Sequence, residues 1–259
     1  MKNNKGDKII INRNLLLEAK KELRKSIVEL DEKVKKNQIK ITGEELYKKV
    51  KKIYIILDKV MNNFDSYTTC KPTCNECCNQ LIQITFLEGM LIDNYINNNF
   101  DYKKIRNLNT KNREQNVRKD SLQNFENIKE LRKFYKDNSN IVNEYFKEEN
   151  PCIFLSDKGL CEVYEVRPWS CRIHVSFSDI DKCKAKTKGE PKSLMKIQNQ
   201  ELLQFIQSTR DCIHHLNKIF LEEKMCTMQG YFEKGFEHMI DKGLFEKLKH
   251  KIKKFINIK

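Results

Sequence analysis

Four cysteines, Cys70, Cys74, Cys77 and Cys78, fall within nine residues, and four more, Cys152, Cys161, Cys171 and Cys183, fall within 32 residues further along the chain. An even scatter of the ten cysteines would put fewer than two in those windows, so a shared site is favoured over independent packing. Thiolates two or three residues apart on a turn can converge on one soft metal, and an all-sulfur set suits zinc or an iron-sulfur cluster rather than calcium or magnesium. The adjacent pair Cys77-Cys78 narrows the choice. Neighbouring side chains tend to diverge and would not easily close one tetrahedral site together. Either one of the pair packs or bridges, or the ligands belong to a polynuclear centre, which tilts the expectation toward iron-sulfur over zinc. Cys212 and Cys226 stand apart from both groups and read as small buried hydrophobes.

Arg167 and Arg172 flank Cys171, where guanidinium groups could offset the charge of several thiolates or hold an anionic cofactor or substrate; a surface ion pair is the plainer alternative. Tyr164 reads as a packing residue whose hydroxyl reaches the edge of the site. His174, three residues after Cys171, is of a type that can ligate metal but reads as an ordinary histidine, as do His214 and His215.

Taken in order, Cys70-x-x-x-Cys74-x-x-Cys77-Cys78, Pro151-Cys152-x-Phe154-Leu155 and Cys161-x-x-Tyr164-x-x-Arg167-Pro168-x-x-Cys171-Arg172 resemble the CxxCxxCC cysteine-cluster family, also called YkgJ-like. The first spacing is three residues rather than two. The resemblance covers about 70 to 183 and implies a zinc- or iron-chelating domain. Larger relatives in that family include flagellin lysine N-methylases, so the resemblance also implies an alternative: an S-adenosylmethionine-dependent protein lysine N-methyltransferase, or a related modifying enzyme, using the metal centre. This chain lacks the length of those methylases. The trio Cys70-x-x-x-Cys74-x-x-Cys77 is also the spacing of radical S-adenosylmethionine enzymes. Against that stand the lack of strand-like runs over 85 to 149 and Glu76 where an aromatic residue is usual.

The elements that must position these residues are mostly helical. Apolar residues at threes and fours predict a helix over 12 to 37 and a second from the capping pair Thr42/Glu45 through Phe64. Leu81 to Ile84 predicts a short extended piece, and the pair Thr85/Glu88 opens a helix through about Ile96. Two helices are expected within 102 to 149, a β-hairpin with Gly159 in its turn over 152 to 166, a long helix over 193 to 225 and a basic amphipathic helix over 232 to 256. The fold class is therefore mostly α: a helical body with a small β-hairpin and loop module rich in cysteine. The regions expected are an N-terminal helical one over 1–66, the cysteine-cluster metal-binding domain with a helical insertion over 67–190, and C-terminal helices over 191–259 packing on the same core.

Only 8 Gly and 4 Pro in 259 residues argue against a barrel, a sandwich or a doubly wound sheet. The net charge of +14 is concentrated at the ends, with +8 over 1 to 60 and +6 over 242 to 259. Such ends could attract a protein substrate or another acidic partner. Specific nucleic-acid binding is not expected, since no aromatic platform or helix-turn-helix signature is visible. No run approaches membrane-span length, and the opening residues hold no signal-peptide core, so the thiols are expected to be reduced in the cytoplasm.

Overall fold

The computed structural model describes residues 3, 5–35, 43–99, 124–147, 151–156, 158–184, 193–221, 225–228 and 231–232. Their regular structure is mostly helical, as the apolar periodicity requires. The helices are α1 (Arg13–Lys35), α2 (Gly43–Asn62), α3 (Phe86–Asn99), α4 (Ile128–Asp137), α5 (Ser139–Lys147), α6 (Trp169–Arg172) and α7 (Gln200–Leu221). The strands are β1 (Gln83–Thr85), β2 (Asn124–Phe125) and β3 (Met225–Thr227). No helix among the described residues is long and apolar enough to cross a membrane.

The chain divides into two compact units, one of Met1–Lys71 with Cys171–Leu216 and the other of Pro72–Ser170 with Asn217–Lys259. In the first, α1 packs on α2. The apolar stripes that predict the two helices are the surfaces they bury: Leu16, Ala19 and Leu23 on α1, and Leu46, Val50, Ile53, Leu57 and Val60 on α2. The Thr42/Glu45 capping pair lies partly outside the described residues. Phe64, just after α2, meets the edge of Phe177 with ring centroids 6.0 Å apart. This unit also contains most of α7, whose first turn is capped by Asn199, its Oδ1 accepting from the Leu202 N–H at 2.8 Å.

In the second unit β3 lies between β1 and β2, antiparallel to both, pairing Ile84 with Cys226 and Phe125 with Met225. Leu87 on α3 donates its N–H to the Asn217 side chain at 3.1 Å, and Phe86 to Asp93 are buried without a break. That stretch is buried on every side, and Glu88 and Asp93 are the polar residues within it. Phe125, Leu131 and Met225 form a smaller apolar cluster against which Ile128, Phe134 and Tyr135 pack.

Two elements differ from the periodicity reading. The long helix expected over 193 to 225 is a 3-10 turn at Leu194–Lys196, then α7, then β3. The Asn199 cap sets where α7 starts, and Met225–Thr227 is drawn into strand by pairing with β1, a contact too distant in sequence for periodicity to register. The expected hairpin is a reversal closed by one bridge, Leu155 with Cys161, with no named strands. Gly159 sits in its turn at φ +72°, a conformation open chiefly to glycine. The C-terminal amphipathic helix expected over 232 to 256 lies outside the described residues beyond Phe232.

Candidate metal centre

The second unit brings together cysteines from both sequence groups. Cys77 and Cys78 sit in a 3-10 turn at Glu76–Asn79, a conformation that Pro72 and the short polar sequence around it favour over a continued helix. The Cys152 N–H donates to the Cys78 carbonyl at 2.7 Å, joining the Pro151-Cys152 entry of the reversal to the first cysteine loop. Cys161 closes the reversal: Glu162 donates its N–H to Phe154 at 2.9 Å, and Ser156 its N–H to Leu160 at 2.9 Å. Gly159 makes a further close approach possible, since a Cβ there would stand 2.7 Å from Nδ2 of Asn75, the residue after Cys74. A larger residue at 159 would have to displace the Asn75 amide group and would be strained at φ +72°.

The electrostatics tie these groups together. The Cys77 thiol is pushed far up, chiefly by its hydrogen bond with Cys78 and then by burial. Burial pushes the Cys161 thiol up as well, and Cys77 adds to it. The Arg167 guanidinium opposes both shifts. That cation lies over the Tyr164 ring, 3.9 Å from its centroid, and Tyr164 itself is partly exposed. The upward shifts at Cys77 and Cys161 favour the protonated thiols, and a metal would have to displace those protons.

Cys70, Cys171 and Cys183 belong to the first unit. The Cys70 Sγ accepts from the Ser176 N–H at 3.2 Å, while Thr69 donates its hydroxyl to the Ser178 carbonyl at 2.7 Å, so this residue is fixed on the 176–178 segment. Cys171 lies in α6 and Cys183 ends a 3-10 turn at Ile180–Cys183. Arg172, beside Cys171, is turned to α2: it is buried, pairs with Asp58 and covers the Tyr54 ring at 4.1 Å. His174 and His215 are exposed, and His214 is half-buried. Cys212 and Cys226 are buried on α7 and β3, where burial pushes the Cys212 thiol up to about 12. All ten cysteines are thiols, and among the described residues no three His, Cys, Asp or Glu side chains are grouped closely enough to hold one metal ion.

Residues 69–190 match the family model described as CxxCxxCC: "Putative zinc- or iron-chelating domain". That stretch is similar to the CxxCxxCC domain. The family that the cysteine order resembles is the one matched, and the match spans both cysteine groups together with Tyr164, Arg167 and Arg172. No curated protein and no solved structure matches the chain. Nothing in the match or in the described site supports S-adenosylmethionine binding or methyl transfer.

Sequence reasoning missed three residues that shape the matched stretch and its surroundings. Asp58 is the lone acidic residue in the apolar run of α2, a signal that it has a buried cationic partner. Asn75 is met by the Gly159 turn, and nothing local announces it. Glu88 is visible as a capping residue, but its second oxygen accepts from the Trp169 N–H at 2.8 Å, a link across 81 positions.

Proposed function

We propose that the CxxCxxCC domain binds zinc or iron through Cys74, Cys77, Cys78, Cys152 and Cys161. The observation that carries this reading is the Cys152 N–H bond to the Cys78 carbonyl, which joins the loop of Cys77 and Cys78 to the start of the reversal within one unit. The chemistry of the donors supports the reading, though not yet their grouping: five thiols on two loops, with a cation, Arg167, whose charge favours the thiolate form of Cys77 and Cys161. Bound metal would supply a cross-link between the first loop and the reversal, and so stability to both. For Cys70, Cys171 and Cys183 the proposal as ligands rests on the sequence motif alone.

The vicinal Cys77-Cys78 pair favours an iron-sulfur cluster over mononuclear zinc. Ten thiols suit a reducing compartment, and the basic ends of the chain suit an acidic partner. Metal analysis of anaerobically purified protein, with its absorption spectrum, tests the reading. Brown protein with sulfur-to-iron absorption near about 400 nm supports iron-sulfur. Colourless protein with stoichiometric zinc replaces iron-sulfur with zinc, and protein without stoichiometric metal of either kind refutes the proposal.

A further inference from the structure

On α1, residues 17, 21, 24 and 28 follow one another at intervals of four, three and four, and on α2 residues 48, 52, 55 and 59 repeat that spacing. Each set therefore runs along one side of its helix for about 17 Å. The residues are Leu17, Lys21, Arg24 and Val28 on the first helix and Lys48, Lys52, Ile55 and Lys59 on the second, and all eight are exposed. These are the sides that the pair turns away from the core. Lys25 and Lys51 are exposed beside them, and among residues 13–28 and 45–62 Glu18 is the one exposed acid. Glu22 is half-buried and pairs with Lys59 at 3.0 Å, while Asp58 is turned to Arg172. Lys21, Arg24, Lys25, Lys51 and Lys52 have no acidic partner among the described residues. The surface is thus strongly cationic, and it calls for an anionic partner.

The apolar residues on the same sides decide which one. Leu17, Val28 and Ile55 are 43%, 53% and 51% exposed, whereas their neighbours Leu16 and Ile56 are buried. Leu17 and Val28 stand about 17 Å apart and Ile55 is on the other helix, so the three form no continuous groove for a partner's helix or strand. Nor do these sides hold an exposed aromatic residue on which a base could stack. A lipid surface needs neither. Anionic headgroups take cations over a broad area, and single aliphatic side chains enter the interface one at a time while the lysine stems lie along it. We propose that the exposed sides of α1 and α2 form a peripheral docking surface for an anionic lipid bilayer, with the lysines and Arg24 at the headgroups and Leu17, Val28 and Ile55 in the interface. Such contact needs no spanning helix, and it stands independently of the metal reading. Each cation close to an anionic membrane adds about fivefold in affinity.

The test is sedimentation of the full-length protein with vesicles of phosphatidylcholine containing about one-third phosphatidylserine, and with vesicles of phosphatidylcholine alone. Wild type should bind the first at about 0.1 M salt, fail to bind the second, and release at about 1 M salt, where charges are screened within about 3 Å. Lys51→Gln/Lys52→Gln should bind at least about tenfold more weakly. Lys129→Gln/Lys133→Gln removes the same charge from the exposed side of α4 and should stay within about twofold of wild type. Ile55→Ser keeps every charge and should weaken binding at least about threefold. All the substituted residues are exposed, so melting temperatures should match wild type. Failure of wild type to bind the anionic vesicles overturns the proposal. Equal loss in the α4 variant overturns it by making net charge the cause, and wild-type affinity in Lys51→Gln/Lys52→Gln overturns it by moving the binding to another part of the chain. Wild-type affinity in Ile55→Ser overturns the lipid reading, and soluble polyglutamate bound as tightly as the vesicles would then assign the surface to an acidic protein.

Discussion

Asp93 lies inside α3, buried, with its Oδ2 accepting from the Tyr231 hydroxyl at 3.1 Å. Burial pushes its carboxyl from an ordinary 3.8 up to about 7, against a smaller downward pull from that hydrogen bond. The folded protein therefore holds the Asp93 proton to about pH 7, whereas the unfolded chain releases it near 4. Between those values the folded state binds more protons, so the contribution of Asp93 is fully present below pH 4 and is lost as pH rises toward 7. Each pH unit inside the window lowers stability by about 1.4 kcal/mol, which amounts to about 3 kcal/mol between pH 5 and pH 8. Asparagine is a neutral stand-in that can still accept from Tyr231. Asp93→Asn should gain about 3 kcal/mol on wild type over that pH range, or about 6–12 °C in melting temperature for cooperative unfolding at this chain length. The assay is thermal unfolding of both proteins at half-unit steps from pH 5 to pH 8. The difference between them isolates Asp93 from other titrating groups. Two parallel profiles would refute the reasoning, because they would mean that Asp93 is ionised or hydrated in the folded state throughout.

Gly89→Ala should destabilise by about 2 kcal/mol in thermal unfolding, because its Cβ would stand 2.6 Å from two atoms of the Tyr231 ring and a planar ring cannot yield locally; a melting temperature equal to wild type contradicts this packing. Asp58→Ala leaves the Arg172 charge buried over Tyr54 and should cost about 2 kcal/mol in denaturant unfolding, below the usual figure for a buried pair because Asp58 is about one-third exposed. An unchanged midpoint would count against that pair. Cys226→Ala empties space at a fully buried position on β3 and should lower stability by about 1 kcal/mol while leaving metal content unchanged, so loss of metal in this variant would contradict the assignment of Cys226 to packing.

What could be read from the sequence follows the range of the interactions involved. The stripes of α1 and α2, the Thr85/Glu88 box and Gly159 in a turn are local patterns, and each stands in the structure as expected. The cysteine order pointed to the family whose model matches residues 69–190, because spacing on short loops is also a local property. β3 and the Trp169 link to Glu88 depend on partners more than 80 residues away, and no window of sequence contains both ends. Arg172 shows a subtler limit. It stands beside Cys171, which suggested a role toward the thiolates, yet its guanidinium is turned to Asp58 and Tyr54 on α2. Adjacency along the chain fixes where a backbone lies but not where a long side chain ends.

The central claim, that Cys74, Cys77, Cys78, Cys152 and Cys161 hold the metal, is tested most directly by alkylation mapping of the ten thiols in metal-loaded and metal-stripped protein under anaerobic conditions, read residue by residue by mass spectrometry. The account predicts that these five are protected in the loaded protein and become reactive on stripping, while the buried Cys212 and Cys226 react slowly in both. Equal reactivity of the five with and without metal would contradict it.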